Sequence, residues 1–124
     1  MPSKSEIYQE SLAAFCRGDF EAATACYADD IVAYPNRAMR PMLGRATMQA
    51  FMQKFGAGME DARYTPSLMV ESGDFLFVEG TETYRKNGRS VTIPYAGVME
   101  FRGDKIIGWR DYFDLKSLEK QLAA

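Results

Sequence analysis

The feature that most constrains the fold is a change in residue pattern near position 60. Beyond it, apolar and polar residues alternate in four runs, at residues 64–70, 75–85, 90–101 and 105–113, as in half-buried β-strands. The turns between the runs are Ser-Gly-Asp, Lys-Asn-Gly and Arg-Gly-Asp, and Asn87-Gly88 favours a two-residue hairpin. Such short connections predict an antiparallel meander.

Helical patterns dominate the first part of the chain. A capping box that begins at Ser3 predicts a first helix over about residues 4–17. Asp19 can cap a second helix, in which Tyr27 would lie on the apolar stripe and which would end at the acidic pair 29–30. The short turn between the two predicts an antiparallel helical hairpin.

The remaining segments complete an α+β pattern. Residues 31–43 contain two prolines and predict a short strand that leads into a loop. Apolar residues at three- and four-residue steps from Met48 to Met59 predict a third helix, and residues 115–122 predict a terminal one. Helices followed by an antiparallel sheet predict one α+β domain over residues 1–124, with the helices packed on one face of a curved sheet.

Composition excludes several classes of function. The chain has 124 residues, of which 47% are hydrophobic and 26% charged, as is typical of a folded globular protein. Its formal charge is −2 and its basic residues are scattered, so we predict no nucleic-acid partner. It has no apolar leader segment and no apolar run of about eighteen residues. We therefore predict no membrane association and a cytoplasmic location.

The sequence contains no histidine. A chain without histidine cannot build a Ser-His-Asp triad, a Cys-His pair or a histidine-ligated metal site. Acid–base chemistry would have to use carboxylates, tyrosines, lysines or cysteines. Cys16 and Cys26 fall in helical patterns and are expected to be small buried hydrophobes and not a disulfide. No metal and no cofactor is predicted.

The predicted last strand puts an acid among apolar side chains. Because side chains alternate across a strand, Ile107, Trp109, Asp111 and Phe113 share one face. An ionised carboxylate is costly there, and desolvation raises its pKa towards the range useful for acid–base chemistry. Asp111 is therefore the first candidate for a reactive group. The structural alternative is a carboxylate that only hydrogen bonds to a neighbour.

A second acid falls on the apolar face of the second strand, where Glu82 alternates with Val78, Gly80 and Tyr84. A register slip of one residue would expose Glu82 instead. The combined faces predict an apolar cavity for a small-molecule substrate, with walls formed by Ile93, Tyr95, Trp109, Phe113, Tyr84 and Met52.

The opposite face of the sheet also has a distinct composition. It would carry Phe75, Phe77, Thr92, Ala96 and Val98 and so remain partly apolar. We therefore predict a homodimer.

The C-terminal part of the chain carries a family likeness. The run Gly-Asp-Lys-Ile-Ile-Gly-Trp-Arg-Asp-Tyr-Phe-Asp-Leu over residues 103–115 resembles the final strand of the limonene epoxide hydrolases. These enzymes share a cone-shaped fold with ketosteroid isomerases, SnoaL-like cyclases and nuclear transport factor. The resemblance implies that Asp111 activates a water. It also implies that Tyr34 and Asn36, which follow an acidic pair as they do in that family, hold the water.

The resemblance changes at the second strand. The hydrolases have Glu-Arg-x-Asp, in which the arginine bridges two aspartates and the last aspartate protonates the epoxide oxygen. This chain has Glu79-Gly80-Thr81-Glu82, so Glu82 can take the place of the acid and Gly80 supplies no guanidinium.

Three functions follow as alternatives. The first is one-step epoxide hydrolysis, with Asp111, Tyr34 and Asn36 activating water and a protonated Glu82 as the acid. The second is isomerase- or cyclase-like proton transfer at carbon, with Asp111 or Glu82 as the base and Tyr34 or Tyr95 stabilising an enolate. The third is a non-catalytic module for ligand binding or dimerisation.

Overall fold

A six-stranded sheet organises the structure, a computed structural model that describes residues 2–123. Its strands lie in the order β2-β1-β6-β5-β4-β3, and four helices accompany them. The elements are α1 (Lys4–Cys16), α2 (Phe20–Thr24), β1 (Tyr27–Tyr34), β2 (Met42–Leu43), α3 (Arg45–Gly56), β3 (Met59–Ser72), β4 (Phe75–Lys86), β5 (Arg89–Arg102), β6 (Lys105–Tyr112) and α4 (Leu115–Ala123). This mixed architecture confirms the predicted α+β class.

The meander of β3 to β6 is antiparallel, as the short turns predicted. Asn87 and Gly88 both have positive φ, of 53° and 76°, which suits a tight hairpin of the kind predicted there. One pairing was not predicted: β1 runs parallel to β6 and so extends the meander towards the N-terminal half.

Two predicted helices are shorter than expected. The second ends at Thr24, and Tyr27 begins strand β1 instead of lying on a helical stripe, because residues 27–34 pair with β6. The third ends at Gly56, and Met59 begins β3, opposite Lys86. Gly58 between them has φ of +77°, a conformation that stops a right-handed helix.

Alternation on the central strands agrees with the sequence. On β4 the side chains of Val78, Glu82 and Tyr84 are buried, and on β5 those of Ile93 and Tyr95 are buried. The predicted register of β4 is therefore confirmed.

Strand β6 differs from the predicted alternation at its start. An irregularity in its pairing with β5, opposite Glu100 and Phe101, buries Ile106 and leaves Ile107 only half-buried. Ile107 does not share the buried face with Trp109, as a regular alternation would require.

Helix α1 covers the inner face of the sheet. Its buried residues Tyr8 and Leu12 belong to a core cluster that includes Tyr95 and Trp109. A smaller cluster surrounds Tyr84 and is closed by α4. Cys16 and Cys26 are both free and half-buried. Among the residues described, no helix is both long and apolar enough to cross a membrane.

Candidate active site

A cavity of about 230 Å³ lies between the inner face of the sheet and the helices. Residues from α1, β1, α3, β3, β4, β6 and α4 all contribute to its lining. The walls are mostly aromatic or aliphatic, and they include Phe15, Tyr27, Phe51, Met52, Phe55, Trp109, Phe113 and Leu118. Asp111 and Glu82 are the two acids of the lining. The structure thus brings both predicted acids to one cavity.

The side chain of Asp111 on β6 contacts Trp109 of the same strand and lies beside Gly97 of β5. Trp109 donates its indole N–H to Oδ1 of Asp111 over 3.0 Å, and Gly97 of β5 lies directly opposite. Burial raises the pKa of Asp111 to about 8, the bond from Trp109 opposes this increase, and the negative charge of Glu82 adds to it. Asp111 therefore keeps its proton at neutral pH in most molecules.

Glu82 lies on β4 between Tyr64 of β3 and Ile93 of β5, which are its direct cross-strand neighbours. It is 5% exposed. Burial raises the pKa of Glu82, and hydrogen bonding with the Tyr64 hydroxyl opposes the increase. The negative charge of Glu82 raises the pKa of Asp111, and like-charge repulsion favours a state in which only one of the two acids is ionised. A neutral Asp111 is the reverse of the role that the hydrolase resemblance implies for this residue.

The two residues expected to hold a water have different positions. Tyr34 lines the cavity, and the Arg37 guanidinium lies 4.4 Å from the centre of its ring. Asn36 is 3% exposed and is not among the lining residues. Its amide donates to the Phe113 carbonyl over 2.9 Å, and its side-chain oxygen accepts from the Ala38 backbone N–H over 2.8 Å. Both ends of Asn36 are thus used to fasten the loop after β1.

Only some of the residues that the sequence predicted as cavity walls line the cavity. Trp109, Phe113 and Met52 line the cavity, whereas Ile93, Tyr95 and Tyr84 do not. Other side chains cover these three: Tyr8 bonds to the Tyr95 hydroxyl, and the cluster around Leu118 of α4 encloses Ile93 and Tyr84. The Tyr84 hydroxyl is buried without a hydrogen-bond partner among the described residues.

Tyr64 is a site residue that the sequence analysis missed. Continuing the hairpin register back from Ser72 and Phe75 would put Thr65 opposite Glu82. A bulge at Ser67 shifts the pairing by one residue and puts Tyr64 there instead. No local pattern marks this bulge, so only a prediction of strand pairing could have found it.

Gly80 is the residue that the resemblance aligns with the arginine of the hydrolases. A Cβ atom at Gly80 would lie 2.7 Å from the Thr65 carbonyl oxygen and 2.9 Å from Pro66 Cα. These are backbone atoms of β3, which cannot move aside easily. The bulged backbone therefore excludes an arginine, and the two acids have no guanidinium at this position.

The described part of the chain contains no cluster of side chains suited to bind a metal ion. No group of three or more cysteine, aspartate or glutamate side chains among residues 2–123 is arranged to hold an ion. The polar side chains of the lining supply two carboxyl groups, the hydroxyls of Ser11 and three tyrosines, and one indole N–H.

Comparisons with known proteins agree with this architecture. The model of a family described as SnoaL-like domain matches residues 8–109. An NTF2-like protein of unknown function from Burkholderia pseudomallei is 25% identical, with a TM-score of 0.86 and 100% of both chains covered. An LEH-like epoxide hydrolase from M. tuberculosis is 23% identical, with a TM-score of 0.82, and covers 98% of this chain and 92% of its own.

A third solved structure is assigned as a SnoaL-like polyketide cyclase from Shewanella putrefaciens. It is 17% identical, with a TM-score of 0.86, and the match covers 99% of this chain and 98% of that one. These likenesses show a common NTF2-like fold that hosts different reactions.

Proposed function

Because the chain belongs to the SnoaL-like domain family, we propose that its cavity is the active site of an enzyme that transfers a proton on an apolar small molecule. One observation carries the proposal: Asp111 and Glu82, two acids whose pKa values are both raised by desolvation, line one apolar cavity. A pair of titratable groups with separated pKa values can divide the roles of acid and base between them. The substrate that fits best is a neutral compound with a carbonyl group.

We assign the base to Glu82 and the neutral donor to Asp111. The Glu82 carboxylate removes a proton from the carbon beside the carbonyl. The C–H electron pair forms the new C=C bond, and the π pair of the C=O bond moves onto oxygen. The carboxyl O–H of Asp111 hydrogen bonds to the enolate oxygen that forms. Glu82 then returns the proton to carbon. Return at a conjugated position gives a net isomerisation, and return at the same position regenerates the substrate.

The raised pKa of Asp111 supports this assignment over the reverse one. Below about pH 8 Asp111 retains its proton and can donate, and the hydrogen bond with Tyr64 favours the ionised form of Glu82. A carboxylic acid kept neutral by an apolar site is an effective donor to an enolate. A positioned base contributes about 10²–10⁴-fold to a rate, and one donor to a developing oxyanion about 10²–10³-fold.

The test is exchange of solvent deuterium into small apolar ketones, followed by mass spectrometry. Glu82→Gln should slow exchange at least about 100-fold, because it removes the base. Asp111→Asn should slow it less, because an amide N–H still donates. Glu79→Gln is the matched control, since Glu79 is an exposed acid on the other face of the same strand. Wild-type exchange in Glu82→Gln would contradict the proposal, and a larger loss in Asp111→Asn would reverse the roles.

Epoxide hydrolysis is the second candidate, and the position of Tyr34 favours it. Tyr34 and Asp111 line the same cavity and could hold a water between them. Asp111 would have to be ionised to activate that water, so diol formation should rise with pH through about 8. Apolar epoxides should then give diols with the wild type and not with Asp111→Asn. Equal diol formation by both proteins would remove this candidate, and epoxide opening introduces no deuterium at carbon.

A further inference from the structure

Two buried tyrosines from distant parts of the chain meet beneath the cavity. Tyr8 of α1 is 0% exposed and Tyr95 of β5 is 4% exposed, and their hydroxyl oxygens lie 2.7 Å apart. Neither residue lines the cavity, so neither can bind a substrate directly. The role of this pair is not explained by the proposed reaction.

Strand register puts Tyr95 midway between the two acids. Tyr95 lies opposite Gly80, which is two residues before Glu82 on β4. It is also two residues before Gly97, which lies opposite Asp111 on β6. Residues two apart share a face, so Tyr95 is the diagonal neighbour of both acids. Diagonal neighbours lie about 7–8 Å apart, within reach of a long aromatic side chain.

The hydroxyl pair has one proton to spare. Each tyrosine has one O–H, and the bond between Tyr8 and Tyr95 uses only one of the two. Neither hydroxyl makes another hydrogen bond within residues 2–123. A buried O–H without an acceptor is costly, and the carboxyl groups of the two acids are the acceptors that strand register places diagonal to Tyr95.

The pair is electrically neutral at every pH at which the acids titrate. Burial raises the pKa of Tyr95 to about 12, the bond from Tyr8 opposes the increase, and the negative charges of Asp111 and Glu82 add to it. Burial likewise raises the pKa of Tyr8 far above its ordinary value. The pair can therefore donate a hydrogen bond to a carboxylate but cannot supply a positive charge.

We propose that Tyr8 and Tyr95 are positioning residues that form a neutral hydroxyl bridge between Asp111 and Glu82. Tyr8 donates to Tyr95, and Tyr95 directs the spare O–H to the acid that is ionised. Because the pair has only one spare O–H, it can stabilise one ionised carboxylate in the cavity and not both at once. The inference rests on the proposed roles of the acids, but it concerns their ionisation and not their substrate.

No lysine or arginine among the described residues lines the cavity, so no basic side chain of the lining can stabilise an ionised acid in place of the tyrosine pair. Among the described residues, the lining from α3 and α4 is entirely methionine, phenylalanine and leucine. The titratable groups that face the acids from the remaining elements are Tyr8 and Cys16 of α1, Tyr27 and Tyr34 of β1, Tyr64 of β3, Tyr84 of β4 and Tyr95 of β5.

The test is a titration of the two carboxyl groups by NMR, with ¹³C label in aspartate and glutamate. Tyr95→Phe should raise the midpoint of the first ionisation by about one pH unit, because the carboxylate loses a donor. Tyr8→Phe should raise it less, because Tyr95 keeps its O–H and loses only the donor that polarises it. Tyr112→Phe is the control, since Tyr112 is adjacent to Asp111 and exposed.

A second substitution covers the case in which Tyr95→Phe does not fold. Replacing Tyr95 by 3-fluorotyrosine keeps the side-chain volume and makes the hydroxyl a stronger donor, so the midpoint should fall. Unchanged midpoints in folded Tyr95→Phe, or in the fluorotyrosine protein, would overturn the bridge. The titration needs no substrate, so shifted midpoints without ketone exchange would contradict only the proposed function.

Discussion

Gly97 and Asp111 lie directly opposite each other on β5 and β6, and the carboxyl group of Asp111 occupies the space above the glycine. A Cβ atom at Gly97 would lie 2.8 Å from Oδ1 of Asp111, the oxygen that accepts the bond from Trp109. The absence of a side chain at Gly97 therefore permits the position of the acid. A glycine on β5, between the strands that carry Asp111 and Glu82, thus helps to define the site.

Gly97→Ala should displace the Asp111 carboxyl group and weaken its bond to Trp109. We expect roughly a 10–100-fold loss of ketone exchange, since small misplacements of reacting groups are costly. Gly108→Ala is the matched control, because the nearest atom to a Cβ there is Glu100 Cβ, in ordinary contact at 3.7 Å. Equal activities of the two folded variants would contradict the prediction.

Asp111 should make stability fall as pH rises. Its pKa is about 8 in the folded chain and 3.8 ordinarily, so the folded state holds a proton that the unfolded state releases between these values. Asp111→Asn cannot ionise and lacks this slope. Urea unfolding should show the variant gaining roughly 2–4 kcal/mol relative to the wild type between pH 5 and pH 9.

The comparison needs a control for the loss of one charge. Asp104→Asn changes an exposed aspartate in the turn between β5 and β6. Its difference from the wild type should be the same at both pH values. Parallel stability curves for the wild type and Asp111→Asn would show that Asp111 titrates normally.

Local alternation was sufficient to find both acids. The period of two on β4 and β6 requires only that each strand exists, and it put Glu82 and Asp111 on buried faces. The same reasoning failed for Tyr27, because residues 20–27 suit a helix and only the parallel pairing with β6 makes Tyr27 part of a strand. Non-local pairing prevailed over local propensity there.

The partners of the acids depended on contacts that no local pattern contains. Tyr64 faces Glu82 because of the bulge at Ser67. Asn36 follows a family-like motif, yet its side chain is bound to the carbonyl of Phe113, which is 77 residues away in sequence. Sequence reasoning therefore found the two acids of the cavity, and three-dimensional pairing determined which neighbours they have.

Asn36 should act on stability more than on turnover. Asn36→Ala removes the bonds to Phe113 and Ala38 in a buried position, at a cost of roughly 2–3 kcal/mol. Asn36→Asp keeps the acceptor for Ala38 and loses only the donor, so it separates the two bonds. We expect thermal melts to shift clearly and turnover, measured well below the melting temperature, to fall less than about tenfold. A large loss of turnover without a stability change would instead support a water-holding role.

The outer face of the sheet is predicted to bind a second copy of the chain. Val70, Phe77 and Val98 are in direct cross-strand register, and Val70 and Phe77 are 48% and 44% exposed. This face carries a negative side chain, Glu79, and a positive one, Arg110. Two copies related by a two-fold axis can therefore bring opposite charges together. Light scattering should find a dimer that Phe77→Lys dissociates and Phe77→Tyr preserves. A monomeric wild type at every concentration would contradict this.

The cavity should select against anionic ligands. Its lining within residues 2–123 contains Asp111 and Glu82 and no lysine or arginine. A carboxylate placed beside an ionised Glu82 would meet a like charge in an apolar, weakly screened environment. We therefore expect a ligand that carries a carboxamide to bind at least about 100-fold more tightly at pH 7 than the carboxylate of the same shape.

Two further measurements connect this selectivity to Glu82. Glu82→Gln removes the first negative charge, so the difference between the two ligands should shrink in the variant. Lowering the pH until Glu82 is protonated should have the same effect on the wild type, because burial raises the pKa of Glu82 and brings its protonation closer to neutral pH. Calorimetry at two pH values measures both changes. A carboxylate that binds as well as its amide at pH 7 would mean that the cavity holds no negative charge there, and Glu82 could not be the base.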